Sequence, residues 1–587
     1  MSNSERNEAG PAIADPIAFQ LFRHAIIGIA NEMALTIFRT AYSGVLKSIM
    51  DYSTAICDRE GRLAAQGLSL PGHLCSIPIA LKATLARMEA AGDRIAEGDV
   101  LVMNDPYSGG MHLPDIFTFK PIFVEGEIVA YAAAVCHHTD VGGRVAGSNA
   151  SDSTEIFQEG IRIPPLKLFR AGQIDTTLME MLKSNVRIPE RLEGDLRGQL
   201  AACRLAEIGI QALATRQGTK RFVELIDDML AYSEILTRAA IAELPDGDVT
   251  FTDYIDDDGI DVGTPIPLVC SIRKSGEQLC VDWTGTAPQV KGAINNTFSY
   301  TAAASYTAVK TVLADGAPNN DGVFRAIEVI APSGTIANAV MPAACAARGL
   351  TGFRMADCAF GAMARLAPGR VMACGDGGNT NVSIGGWTRD RKPFIFVDFV
   401  SAAWGARPWK DGLEGNTTIF ANMASYSIET VESENPLVVT ANEFVDDTAG
   451  AGKFRGGTAM RRDWMLLEDE ATLSVRADRQ SHRPFGLAGG HDGAPGRNIM
   501  VGADGTTRTL VSKFTMAMCK GDVFTHHLPS GGGYGDPLER DPNAVLEDWL
   551  DDYVSTETAR DVYGIVIADG RIDTEATQAR RAELSAA

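Results

Sequence analysis

Apolar residues recur at helical spacing through positions 16–43, where Leu21, Phe22, Ala25, Ile26, Ile29, Met33, Ile37 and Ala41 form one stripe. The spacing predicts a long helix, with Asp15 as its N-cap and Pro16 at its first position. Residues 51–67 read as a strand, a turn at 58–61 and a return strand. A helix is expected near 78–91. The apolar runs 100–103 and 128–135 are short and bounded by turn formers, which suits buried strands. Helical spacing returns from 178 to 242, through Leu178, Met181, Leu182, Leu205, Ile208, Leu213, Leu225, Ile226, Leu230 and Leu236. Leu244-Pro-Asp-Gly-Asp then opens a β-rich stretch with hairpins expected at 257–259 and 275–276. Small-residue helices are expected over 297–314 and 354–365, and 370–536 alternates short strands with Gly-rich turns. No repeat of fixed period is visible.

These elements predict a multidomain α+β (mixed α/β) protein, in which β-rich domains are carried by long scaffold helices. The expected divisions are a disordered start (1–13), an N-terminal domain (14–177), a helical segment (178–243), an α/β middle domain (244–369), a Gly-rich β domain (370–539) and a charged helical tail (540–587). A chain of 587 residues, 45% hydrophobic, has room for several cores of ordinary size.

Charge and composition narrow the function. The net charge is −22 and the pI about 4.9, which disfavours nucleic acid or an anionic membrane as a main partner. No run of 18 apolar residues occurs and the first ten residues are polar, so neither a membrane span nor a secretion signal is expected. The ten cysteines are scattered with no C-x-x-C, as in small buried residues of a reduced cytoplasm. There is no G-x-x-x-x-G-K-[ST] loop, so this chain is not expected to bind ATP by itself.

Residues 104–143 hold the most telling chemistry. Three of the nine histidines, His112, His137 and His138, lie in this window with Asp115. Asn104-Asp-Pro and Gly109-Gly110 place His112 in a loop, and the run 128–135 delivers His137 and His138 at a strand end. Two imidazoles and a carboxylate with room for water are the material of a catalytic metal site. The same residues also suit a loop hydrogen bond between Asp115 and His112, with one buried and one exposed His after it. Asp51 opens the upstream hairpin, where it can also cap a helix end or pair with Arg39, and His73 sits in a turn beyond it.

Further along, Arg476-x-Asp478-Arg479-x-x-x-Arg483 suits a phosphate or structural ion pairs. Gly531-Gly-Gly suits an anion nest or a tight bend, and Asn295-Asn296 a cleft or a turn. His526-His527 has no carboxylate at ligand spacing and reads as structural.

Taken together, Asp51-Tyr-Ser, Asn104-Asp-Pro-Tyr-x-Gly-Gly-x-His112-x-x-Asp115, His137-His138-x-Asp140-Val-Gly-Gly, Glu155-x-x-x-Glu159-Gly, Asp282-Trp-Thr-Gly-Thr286, Pro484-Phe-Gly-Leu487 and Gly531-Gly-Gly-Tyr-Gly-Asp-Pro537 resemble the hydantoinase B family. The resemblance runs from about residue 14 to the end; Cys75, where Gly is common, and Gly72, in place of Val, are small departures. It implies the metal-bearing subunit of an ATP-dependent enzyme that opens cyclic amides such as hydantoins, 5-oxoproline or lactams. The alternatives are a subunit of an acetone- or acetophenone-type carboxylase, or a non-catalytic scaffold. It further implies one divalent metal (Mn, Zn or Fe) on Asp51, His112, Asp115 and His137, with ATP bound by a hydantoinase A-type partner in a dimer of heterodimers. Strand alternation favours His137 over His138 as the ligand. His138 or Asp140, beside the ligands, is then the candidate to take a proton from water.

Overall fold

The computed structural model describes residues 15–586 except 68, 69, 74, 314, 315, 378, 379, 401 and 402; the expectation of disorder over 1–13 lies outside the described residues. The site is built on a seven-stranded antiparallel sheet of order β2-β1-β5-β4-β3-β6-β7. Its strands are β1 (Tyr52–Asp58), β2 (Leu63–Gln66), β3 (Val100–Met103), β4 (Asp115–Val124), β5 (Glu127–His137), β6 (Leu166–Arg170) and β7 (Gln173–Ile174).

Antiparallel sheets commonly leave one face to water, which gives an alternating pattern. Here both faces are covered, so the central strands read as unbroken apolar runs. On β5, Ala130, Ala132, Ala134 and Cys136 pack among residues of the helices α1 (Pro16–Thr40), α2 (Pro189–Gln217) and α3 (Thr219–Ala242). Tyr131, Ala133 and Val135 point the other way, into a core shared with α4 (Phe298–Leu313) and α5 (Arg348–Leu366). The alanines let helices approach closely on both sides.

Helix α1 starts as the sequence predicts: Asp15 accepts from the amides of Ile17 and Ala18, each at 3.0 Å. By length and composition alone α1 would pass for a membrane span, but Phe19, Phe22, Ile26, Met33 and Ile37 are buried in the protein core. The helix expected over 354–365 begins earlier, at Arg348. Gly349 and Gly352 hide its first turns from a propensity reading, and Gly352 is needed there, because a Cβ would come within 2.1 Å of the Tyr300 ring. The expected tight hairpin at 257–259 is a longer loop, in which Asp257 and Asp258 accept from the amides of Gly259, Ile260 and Asp261.

A four-stranded and a five-stranded sheet from residues 380–527 share a core around Phe396, Trp464 and Phe524. Two of their strands, Pro393–Val400 and Glu470–Arg476, bring Phe399 and Arg476 to the site, and Phe399 packs with Val45 and Ile49, just ahead of Asp51. Gly531–Gly533 is a close backbone approach: Cβ atoms there would lie 2.1–2.2 Å from carbonyl oxygens of Trp404, Phe485 and Ala451. The tail is helical with a two-stranded insert, at 567–568 and 571–572.

His526 is structural and carries a pH prediction. It is buried, with Nδ1 2.6 Å from Asn498 Oδ1, and burial pulls it down to about 3. The folded state therefore holds this ring neutral where the unfolded chain would protonate it. The stability it contributes is present above about pH 6.5 and is lost as pH falls toward 3, by about 1.4 kcal/mol per pH unit. His526→Gln is expected to remove one proton's worth of that slope in denaturant unfolding at pH 6.5, 5.5 and 4.5. An unchanged slope overturns the assignment.

Candidate metal centre

Strand register assembles the site. Asp115 at the start of β4 is the direct cross-strand partner of His137 at the end of β5. Tyr52 pairs with Cys136, and the His137 amide donates to the Asp51 carbonyl at 3.0 Å, so Asp51 falls next in the same row. Three neighbouring strands thus end in Asp51, His137 and Asp115 on one face. Met50, just before, has φ 63°, a left-handed conformation that is costly for a side chain of this kind and turns the chain into β1. Asp51 is buried here, rather than paired with the exposed Arg39.

His112 joins from the preceding loop, its Nδ1 2.8 Å from Asp115 Oδ2 and its ring centre 5.0 Å from that of His137. That loop is pinned by Asn104, whose Nδ2 donates to the carbonyls of Leu113 and Ile161. His73, seen in the sequence only as a turn residue, also belongs to the group. Its Nε2 lies 3.8 Å from Asp51 Oδ1 and 4.0 Å from Asp115 Oδ1, and its Nδ1 is fixed by Ser53 Oγ at 2.9 Å.

The cluster is closed to solvent: His73, His112 and His137 are each 2% exposed and Asp115 is fully buried. Burial, assisted by the nearby guanidinium charge, lowers His73 and His112 to about 4, and burial holds His137 well below the usual histidine range, so all three rings are neutral with lone pairs to offer. Burial works to raise the Asp115 carboxyl, but His112 and Arg348 outweigh it and hold that carboxyl well below its usual range. Asp51, raised to about 7 by burial and by the Asp115 charge, is the carboxyl that must shed a proton before it can serve as an anionic ligand.

The donor set fits a divalent ion. Both ring nitrogens of His137 and Oδ1 of Asp115 are buried without a hydrogen-bond partner. Such atoms are costly unless something completes them. The donors do not already close round one point: among the described residues, no three His, Cys, Asp or Glu side chains stand ready as a cage. The reason is visible in the contacts, since Asp115 Oδ2 is shared by His112 and by Arg348 Nη2 at 2.6 Å, bonds that an arriving ion would reorganise.

Neither proton-acceptor candidate lies in this group. His138 faces the opposite side of β5, where its Nε2 meets Gln199 Oε1 at 3.0 Å. Asp140 is clamped by Arg187, through the Arg187 amide and Nη1, both at 2.7 Å, and so holds the glycine loop after β5. Of the downstream residues, Arg479 is a structural partner of Asp253, and Asn295 ties the 290–292 turn to the Ala344 carbonyl. Arg348, Arg476, Tyr300 and Phe399, by contrast, roof the cluster. Arg348 lies 3.9 Å from the Tyr300 ring centre, and Phe399 meets His137 edge-on at 5.2 Å.

The chain is similar over nearly its whole length to known proteins. The family model described as hydantoinase B/oxoprolinase matches residues 15–537. The B-subunit of the putative D-/L-hydantoinase of Pseudomonas sp. (strain NS671) is 32% identical, covering 97% of this chain and 98% of that protein. The β-subunit of the caprolactamase of Pseudomonas jessenii is also 32% identical, with 97% and 99% covered. The crystal structure of the ATP-dependent caprolactamase from Pseudomonas jessenii superposes with a TM-score of 0.90 over 97% of this chain and 99% of that one, at 30% identity. A nucleotide-free acetone carboxylase structure gives the same TM-score at 19% identity, a likeness of fold, with 97% and 83% covered. With its motifs in order, its strand register and a family match from residue 15 to 537, the chain belongs to the hydantoinase B/oxoprolinase family.

Proposed function

We propose that this chain is the metal-bearing subunit of an ATP-dependent cyclic-amide hydrolase. It completes the opening of a lactam, hydantoin or oxoproline ring after a partner subunit has phosphorylated the amide oxygen. The observation that carries the reading is the closed cluster of Asp51, His73, His112, Asp115 and His137, with unpartnered donors on His137 and Asp115. Its likeness to the caprolactamase β-subunit across both chains supports the substrate class. Asp51, His112, Asp115 and His137 would hold the ion, and His73 stands close enough to both carboxylates to join or orient them.

When bound, the ion lowers the pKa of a water and polarises the substrate oxygen. The protein residues do the rest. Burial keeps the imidazoles neutral and able to ligate, and His112 with Arg348 keeps Asp115 ionised. Sheet and helices exclude bulk water, so a phosphorylated amide, which water would consume, reacts only where the fold directs it. ATP would be bound by the partner, in a cytoplasmic dimer of heterodimers; the lack of a P-loop sequence in this chain supports ATP lying on the partner.

A ketone carboxylase would use the same donors, and its support is the acetone carboxylase likeness, which is one of fold. The test is turnover by the complete complex with caprolactam, hydantoin and 5-oxoproline in bicarbonate-free buffer, alongside acetone with bicarbonate. Ring-opened product formed with ATP and without bicarbonate is expected. Product that appears only as a carboxylated ketone overturns the hydrolase reading.

A further inference from the structure

Helix α1 carries two apolar stripes, and the protomer's own packing uses one. Phe19, Phe22, Ile26, Met33 and Ile37 face the core. The helix is more apolar than that stripe requires: an 18-residue window has a mean hydropathy of 1.3, yet only 33% of it is buried. The surplus lies on the opposite side, where Ile17, Leu21 and Leu35 are 74%, 67% and 44% exposed. Exposed apolar side chains are ordinary when they stand singly, but a row of them along one helix marks a contact surface.

Gly28 sits at the middle of this row. At 3.6 residues per turn, positions four, seven and eleven residues to either side lie within about 40° of it around the helix. The protomer does not need a glycine there. A Cβ at position 28 would meet nothing within 4 Å, and glycine inside a helix is destabilising relative to alanine. A missing side chain under open space admits the close approach of another helix.

The row is self-complementary about that glycine. Leu21 and Leu35 stand seven residues to either side of Gly28, His24 and Glu32 stand four, and Ile17 and Arg39 stand eleven. These six side chains are all exposed. Among the described residues, no ion pair engages His24, Glu32 or Arg39. Two such helices, antiparallel with their Gly28 residues on a two-fold axis, would set Leu21 of each copy against Leu35 of the other. The same axis would bring His24 to Glu32 twice, and would lay the aliphatic stem of Arg39 over Ile17. A parallel pairing would instead set Glu32 on Glu32 and Arg39 on Arg39. Lipid is a poor occupant, because His24, Glu32 and Arg39 lie within the row itself and the chain carries a net charge of −22.

We infer that the outer face of α1 docks a second copy of this chain, helix against helix and antiparallel, with the two-fold axis at Gly28. The pairing needs neither the ion nor the reaction, so it stands or falls apart from the hydrolase reading. It gives the proposed dimer of heterodimers its joining face: two copies of this chain meet directly, and the ATP-binding chain lies elsewhere.

The test is sedimentation velocity on the full chain alone, over about a hundredfold range of concentration. Wild type is expected to sediment as a dimer of the 62.6 kDa chain. The double variant Leu21→Arg with Leu35→Arg is expected to be monomeric and to melt as the wild-type protomer does, since both side chains are exposed. Gly28→Arg, whose side chain meets nothing in the protomer, is an independent second variant with the same expected outcome. In the complete complex, both are expected to give single heterodimers that keep the ATP-binding chain. His24→Glu and Glu32→Lys should each weaken the dimer about threefold or more, and the two together should restore it. That rescue must cross between copies, because the two positions lie about 12 Å apart along one helix. A wild-type chain that is monomeric throughout overturns the inference. So does a dimer that survives the arginine variants, or a paired charge reversal no tighter than the single ones. Arginine variants that shed the ATP-binding chain instead of the second copy would give the face to that chain, and would equally overturn it.

Discussion

His137→Ala is expected to strip the chain of its divalent ion and to cut product formation by more than the roughly 10–100-fold that loss of an outer-shell partner costs. The fold should stand. His137 is the informative position because the protein asks nothing else of its ring: neither nitrogen has a hydrogen-bond partner. Truncation therefore breaks no protein hydrogen bond. It costs packing against Phe399 and the His112 ring, about 2–5 kcal/mol by the usual range for truncating a large buried side chain to Ala. His138→Ala makes the opposite prediction. It leaves the Gln199 side-chain Oε1 without its His138 partner, at about 1–3 kcal/mol, and should retain the ion. Elemental analysis and denaturant melts on the two variants separate the roles. If His138→Ala loses the ion while His137→Ala keeps it, strand alternation has been read on the wrong face.

The sequence makes the row of Asp51, His137 and Asp115 legible because β structure has a period of two and its ends are marked. Asn104-Asp-Pro, Gly109-Gly110 and Gly142-Gly143 set where strands stop, and side chains at those ends gather on one edge. Alternation then separates His137 from His138 without any tertiary information. What the sequence hides is whatever arrives from far away. Arg348 reaches Asp115 across 233 positions, from helical turns that Gly349 and Gly352 disguise. Phe399 and Arg476 come from two strands of one other sheet. Asp140 sits beside His137 in sequence, and its capture by Arg187, 47 residues on, decides that it holds a loop. His73 had a usable signal, a histidine in a Pro-Gly turn just after the Asp51 hairpin, but nothing local says that the turn folds back over Asp51.

Asp51→Asn is expected to uncouple the complex: the partner continues to cleave ATP while ring-opened product falls to background. The substitution keeps the side chain's size and removes the one carboxyl that must ionise to take its share of an ion. Metal content should fall with it. The partner's ATP site is not part of this cluster in the proposed scheme, so phosphorylation of substrate should persist, and the phosphorylated amide should decay or escape instead of being opened. In wild type, ADP and product should appear together; in Asp51→Asn, ADP should accumulate without product. Phosphate release, ADP and ring-opened acid can be followed in one time course. Loss of ADP formation in step with product would mean that this cluster governs the ATP step itself, and the division of labour between the two chains would be wrong. ATP cleavage by the isolated chain at the rate of the complex would be equally damaging, because it would require a nucleotide site in a sequence with no P-loop and a charge of −22.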